Sequence, residues 1–222
     1  ESDRFRPSFC LVVDATTPTP DQDAGSVTVS KILTLCSRMG VRPIFVPQDN
    51  FLYQRKYTQE ILRAGAVCTY APYQISIDHV LEVWGSLIDY AIVFRIGVAE
   101  KVYSEIRKHA PQARFIFHNI DLHYLRMQRE ARLSGQDDDS EQIRSVKKSE
   151  IKMIGQSDCA IVHTDVEQEI LSKDCPGANI KVFNYMVDFE GTNVPFSKRH
   201  DVMFLGGYSH TPNVDAVEFF VR

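Results

Sequence analysis

The stretch "FIFHNIDLHYLRMQREARL", residues 115–133, decides how the chain reads. It opens as a short apolar run with the character of a strand and closes as an arginine-bearing stretch with helical spacing. His118, Asp121 and His123 stand between the two, where a strand ends and a helix begins. The same change of rhythm recurs in both directions. The predicted strands are "FCLVVD" (9–14), "VRPIFVP" (41–47), "AVCTYA" (66–71), "DYAIVFR" (89–95), "ARFIFHN" (113–119), "CAIVHT" (159–164) and "IKVFNY" (180–185). Amphipathic stretches such as "GSVTVSKILTLCSRM", "TQEILRAG" and "IDHVLEVWGSLI" lie between them. Continuous apolar strands suit a sheet covered on both faces. Intervening helices imply parallel crossovers, so the expected fold is α/β, a doubly wound parallel sheet.

Local punctuation agrees with that rhythm. Gly40 and Gly65 each follow a helical run and precede a strand, as C-terminal caps do. "TDVE" at 164–167 reads as a capping box. The polar, acidic stretch "LSGQDDDSEQIRSV" (133–146) has no apolar period and reads as an exposed loop between two helices. Near residue 190 the turn-rich "DFEGTNVPFSKRH" reads as a linker, followed by a fresh strand "DVMFLGG" (201–207) and a helical run. The expected organisation is a domain over 1–196 and the first βα unit of a second one over 197–222. A start without methionine and an end inside a helical pattern suggest a piece of a longer polypeptide.

Composition excludes several classes. With 44% hydrophobic and 24% charged residues among 222, the chain has the make-up of an ordinary globular protein. A net charge of -4 and a pI near 6.0 lack the basic footprint of a nucleic-acid binder. No apolar run reaches the ~18 residues of a membrane span, and the polar opening is not a signal peptide. Five widely spaced cysteines without a CxxC pair read as reduced core thiols of a cytosolic protein.

In an open α/β sheet, ligands bind beyond the carboxyl ends of the strands, so the residues following each strand carry the chemistry. The first strand ends in Asp14 and a long loop reaching a helix start at Gly25 and Ser26. No GxGxxG is present, and Ser26 fits a functional role or a plain N-cap equally. Arg95 ends the fourth strand, where it pairs with an anionic ligand or a neighbouring carboxylate. His118 lies on the face of the fifth strand that also carries Ile116. Asp121 either fixes the tautomer of an imidazole or caps the following helix. His123 has a titration range suited to binding a sugar hydroxyl or moving a proton, and Arg126 shares its helical face. The histidine and aspartate spacing matches no zinc pattern. Gly206 and Gly207 form a strand-to-helix turn where backbone amides approach a phosphate, with His210 and Asn213 beside it. A plain tight turn explains the same glycines.

Four segments in order, "CLVVDATTPTPDQDAGS", "IDLHYLRMQREA", "SDCAIVHTDVEQEIL" and "RHDVMFLGGYSHTPNVDAVEFF", resemble GT-B glycosyltransferases, most of all the family 4 type that builds bacterial cell-surface polysaccharides. The resemblance implies a Rossmann-like acceptor-side domain followed by the start of a donor-binding domain. It implies transfer of a sugar from a nucleotide sugar to a glycan or lipid-linked acceptor, with retention and without a metal or other cofactor. It maps the family's positioning histidine onto His123, with Asp121 as its companion in catalysis. Gly25, Ser26, Arg95, His118 and Arg126 then fall to sugar binding, and Gly206, Gly207, His210 and Asn213 to the donor diphosphate. The family's pair of donor-binding glutamates lies beyond residue 222, so the rest of the same polypeptide is an implied partner. The implied location is the cytoplasm, including the inner face of its membrane as a peripheral site, with no partner among nucleic acids. Rival readings are a non-catalytic GT-B-like scaffold or carbohydrate-recognition module, an unrelated doubly wound binding domain, and a nucleotide-sugar epimerase.

Overall fold

A computed structural model describes residues 7–186, 188, 191–208 and 211–222. Seven strands form one sheet: β1 (Phe9–Asp14), β2 (Arg42–Pro47), β3 (Val67–Cys68), β4 (Ile88–Phe94), β5 (Arg114–His118), β6 (Cys159–Val162) and β7 (Ile180–Val182). Every pairing is parallel, in the order β3-β2-β1-β4-β5-β6-β7. The helices are α1 (Ala24–Arg38), α2 (Arg55–Arg63), α3 (Ile77–Trp84), α4 (Ile96–His109), α5 (His123–Leu133), α6 (Glu141–Gln156), α7 (Asp165–Asp174) and α8 (Thr211–Val221). This is the Rossmann-like α/β architecture expected of buried strands alternating with helices.

Strands β1, β2 and β4 feed two cores because successive side chains point to opposite faces. Leu11, Val13, Val46, Val93, Phe115 and Phe117 pack on one face, joined by Val102 and Ile106 of α4 and Met153 and Ile154 of α6. Cys10, Val12, Phe45 and Phe94 pack on the other, against Val29, Ile32 and Leu33 of α1. All five cysteines are free thiols, and burial alone pushes that of Cys68 up to about 12.

Local signals behave as physical chemistry dictates. Gly40 (φ 76°) and Gly65 (φ 87°) take the left-handed conformation just past α1 and α2. Thr164 and Glu167 close a complete capping box on α7. Two expectations differ from the structure. Residues 141–146 are not loop but the first turns of α6, opened by a Ser140 cap on Ile143. The acidic run hides this because the helix keeps only Ile143, Glu150, Met153 and Ile154 fully inside. Residues 201–207 carry no strand pairing, and Val202, Met203 and Leu205 stay exposed. A strand exists only against a hydrogen-bonded neighbour, and none of the described residues supplies one there.

The chain divides into two compact units, one ending at Met186 and the other running from Val187 to Arg222. The first holds the whole sheet; the second holds α8 and a short 3-10 turn at Phe196–Lys198. Among the described residues no helix is long and apolar enough to cross a membrane.

Candidate active site

The order of the strands locates the site. After β1 the chain moves to β2 on one side, and after β4 it moves to β5 on the other, so strand order reverses between β1 and β4. Ligands of such sheets sit at the carboxyl ends of that pair. Asp14 is the last residue of β1, and Arg95 directly follows β4.

These two meet: Arg95 Nε donates to Asp14 Oδ1 at 2.8 Å. Asp14 is buried, with 4% of its side chain exposed. Burial pushes its carboxyl above the ordinary value, and the Arg95 guanidinium holds it back. Arg95 itself sits at φ 64°, a left-handed conformation that a non-glycine residue adopts at a cost of about 1–3 kcal/mol. The strained backbone aims the guanidinium over the start of α1, where a Cβ added to Gly25 would lie 2.9 Å from Arg95 Nη2. A side chain there is accommodated only if the flexible end of Arg95 shifts. Asp23 caps α1 by accepting from the Ser26 amide at 2.8 Å, and the Ser26 hydroxyl donates to the same carboxylate at 2.6 Å. Ser26 is thus buried and engaged in holding the loop. Arg95 thus pairs with a neighbouring carboxylate while its side chain stays 37% exposed.

At the end of β5 the histidines separate. His118 is fully buried, its ring stacked on Phe94 at 4.5 Å and 5.1 Å from His163. Neither ring nitrogen has a hydrogen-bond partner among the described residues, and burial drives its pKa down to about 3. This corrects the assignment of His118 to a sugar: a neutral ring sealed in the sheet offers a ligand no surface.

His123 opens α5 in a different setting. Its Nε2 lies 3.5 Å from Asp121 Oδ1 and its Nδ1 3.4 Å from Glu150 Oε1. Arg126 Nε approaches the other Asp121 oxygen at 3.3 Å. Glu150 beside it raises the imidazole's pKa; burial opposes this, Asp121 adds to it, and Arg126 weakens it. The carboxylates on its two sides thus favour the protonated ring more than burial disfavours it. The side chain is 28% exposed, open enough to meet a ligand.

Glu150 is the residue that sequence reasoning missed. Its side chain is wholly buried in α6, yet it accepts from the backbone amides of His123 (3.0 Å) and Tyr124 (3.1 Å). It thereby caps α5 from outside, the work expected of Asp121, while Leu122 holds the cap position without a side-chain bond. A carboxylate at a helix N-terminus is favoured by the local field. His163 and Tyr185 were missed too. His163 Nδ1 lies 2.9 Å from the Phe183 carbonyl, and its ring stacks on Tyr185 at 3.9 Å.

In the second unit, Asn213 Nδ2 donates to the Gly207 carbonyl at 3.0 Å, and a Cβ on Gly206 would strike the Asn213 amide at 2.8 Å. The glycine turn is closed by that side chain. His210 lies outside the described residues. A groove of about 460 Å³ runs along α6 between Arg144, Lys147, Lys148 and Asp174 and includes none of the predicted site residues.

No protein-family model and no curated protein matches the chain. Among solved structures, the chain is similar to sucrose-phosphate synthase from Thermosynechococcus elongatus, at 11% identity and a TM-score of 0.52 over 80% of this chain and 48% of that one. It is also similar to Glycyrrhiza uralensis UGT73P12 complexed with glycyrrhetinic acid 3-O-monoglucuronide, at 7% identity and a TM-score of 0.48 over 79% and 48%. The chain spans about half the length of each. At such identities the likeness is one of fold alone.

Proposed function

We propose that this chain is the acceptor-side part of a GT-B glycosyltransferase of the family 4 type, which moves a sugar with retention from a nucleotide sugar to a glycan or lipid-linked acceptor. The observation that carries the reading is the run Asp121–His123–Glu150 at the carboxyl edge of β5, beside the strand-order reversal. Sugar transfer passes through an oxocarbenium-like centre while a nucleoside diphosphate departs, so donors aimed at developing negative charge lower the barrier. His123 becomes such a donor, in this proposal, when Nε2 turns from Asp121, 3.5 Å away, to the ligand. Asp121 accepts from sugar hydroxyls and ties His123 to Arg126. The donor's diphosphate falls, in this proposal, to Gly206, Gly207 and neighbouring residues, together with chain beyond residue 222.

The test is release of nucleotide from a panel of nucleotide sugars by the complete polypeptide that carries this chain. Release that requires an acceptor supports transfer. Sugar binding without release favours a carbohydrate-recognition module. The proposal includes chemistry without a metal, so EDTA is expected to leave the rate within about twofold, a difference below 0.5 kcal/mol. Restoration by Mg²⁺ or Mn²⁺ after a loss overturns that part.

A further inference from the structure

His163 and Tyr185 stack on each other within reach of the Asp121 charge. His163 ends the run after β6 and is 5% exposed; Tyr185 follows β7 and is 46% exposed. Their rings lie 3.9 Å apart and 9° from parallel, so one face of the phenol is fully used by the imidazole. The imidazole is itself fixed through Nδ1 to the Phe183 carbonyl, and burial keeps it neutral. The phenol hydroxyl donates to the Ile120 carbonyl at 3.4 Å, which anchors the far end of the ring to the residue before Asp121. With its hydroxyl and one face engaged, the exposure of Tyr185 falls on the remaining ring surface. A partly exposed aromatic ring, held on one face and at its hydroxyl, thus lies next to the Ile120–Asp121 segment, close enough for the charges of Asp121 and Arg95 to act on its phenol.

We propose that the exposed face of Tyr185, backed by His163, is a stacking platform for a pyranose ring, and that Asp121, with Arg126 on one of its oxygens, binds hydroxyls at that ring's rim. A pyranose suits this arrangement chemically. One of its faces is a patch of C–H groups, which carry slight positive charge and rest on the negative face of an aromatic ring. Its edge is a fence of hydroxyls, each needing a donor or an acceptor. An apolar platform with few convergent polar groups is the usual composition of a small-molecule site. The platform deepens the transferase reading by giving it a sugar subsite, and it rests on that reading only for the direction of transfer.

The two ideas fail separately. Saturation-transfer difference NMR on the 222-residue chain probes methyl glucoside, methyl galactoside and methyl rhamnoside, with UMP and dTMP as nucleobase probes. Saturation of ring C–H protons of at least one glycoside is expected, and it is retained in Tyr185→Phe, which keeps the π face. It is expected to fall by about 2–10-fold in Tyr185→Leu, which keeps apolar bulk without that face. His163→Leu, which removes the backing ring, is expected to weaken it in the same direction. Equal signals in wild type and Tyr185→Leu, signals confined to nucleobase protons, or no glycoside signal each overturn the platform. A disturbed amide spectrum in Tyr185→Phe as well as Tyr185→Leu marks a folding role and overturns it also. Nucleotide release without Tyr185-dependent sugar contact leaves the transferase reading standing and ends the subsite. Tyr185-dependent contact without transfer from any donor does the reverse.

Discussion

The end of β5 and the start of α5 each carry one histidine, and the protein pushes the two in opposite electrostatic directions. His118 is enclosed by Phe94 and His163, meets no carboxylate among the described residues, and is held neutral by burial. His123 stands one turn of chain farther on, where Asp121 and Glu150 face its two nitrogens. Sequence proximity therefore says little about role; the boundary of the sheet decides it. Inside that boundary an imidazole behaves as a flat filler, and outside it meets carboxylates that push its pKa up.

The sharpest way to break the contrast is to remove the carboxylate that creates it. Glu150→Ala leaves the amides of His123 and Tyr124 without their acceptor and deletes one partner of a buried ionic contact. A loss of about 3–5 kcal/mol in urea unfolding is expected. Glu150→Gln retains shape and one acceptor, so a smaller loss is expected, together with a lower pKa for His123 in a histidine NMR titration. An unchanged titration would assign the raised imidazole to Asp121 alone.

The second prediction concerns acid. The His118 pKa of about 3 lies below the ordinary 6.5, so its neutral form is the one that folding favours. That contribution is full above the ordinary value and is lost as pH falls from there toward 3. His118→Phe keeps the stack on Phe94 and removes the titration. Relative to wild type it is expected to gain about 2–3 kcal/mol at pH 4 and little at pH 8, as acid unfolding followed by circular dichroism would report. His123 has the opposite sign: with its folded pKa raised, its contribution is full below 6.5 and fades as pH rises through the folded value.

The difference between these two regions also marks what the sequence makes legible. Seven apolar runs became seven strands, because burial on both faces is written in local composition. The Thr164 capping box, a contact within one turn, was equally readable. Glu150 was not, since it lies 27 residues beyond His123 and looks like any acidic position on a charged helix. Only the packing of α5 on α6 turns it inward. The His163–Tyr185 stack joins the tips of two strands for the same reason, and its only sequence signal was an aromatic residue closing the β7 run. The 201–207 segment shows the converse, an apolar run with no described neighbour to pair with.

A third measurement separates function from packing at His123. The side chain is partly exposed, and the α5 cap comes through its backbone amide, which any residue supplies. His123→Ala is therefore expected to cost less than about 1 kcal/mol in stability. Transfer by the complete polypeptide is expected to fall about 100-fold or more, the loss typical of a positioned donor or proton-transfer group. Equal losses of fold and activity would place His123 with His118, as a packing residue, and erase the contrast.

The smallest expected effect falls on the opposite side of the strand-order reversal. Gly25→Ala adds a methyl 2.9 Å from Arg95 Nη2 and 3.1 Å from Asp23 Oδ1. Within a helix alanine is favoured over glycine by up to about 1 kcal/mol. At the crowded first turn of α1 that gain is offset by moving the end of a flexible side chain, so the net change in thermal stability is expected to stay within about 0.5 kcal/mol. The guanidinium has a second anchor, Nε on Asp14 at 2.8 Å, and pivots about it rather than leaving. Its exposed edge, the part able to meet a ligand, is what moves. A variant that melts like wild type yet loses sugar or nucleotide contact would place Arg95 in the site despite its ion pair. A variant unchanged in both would leave Arg95 as the structural partner of a buried aspartate, and the chemistry would rest on the β5 side alone.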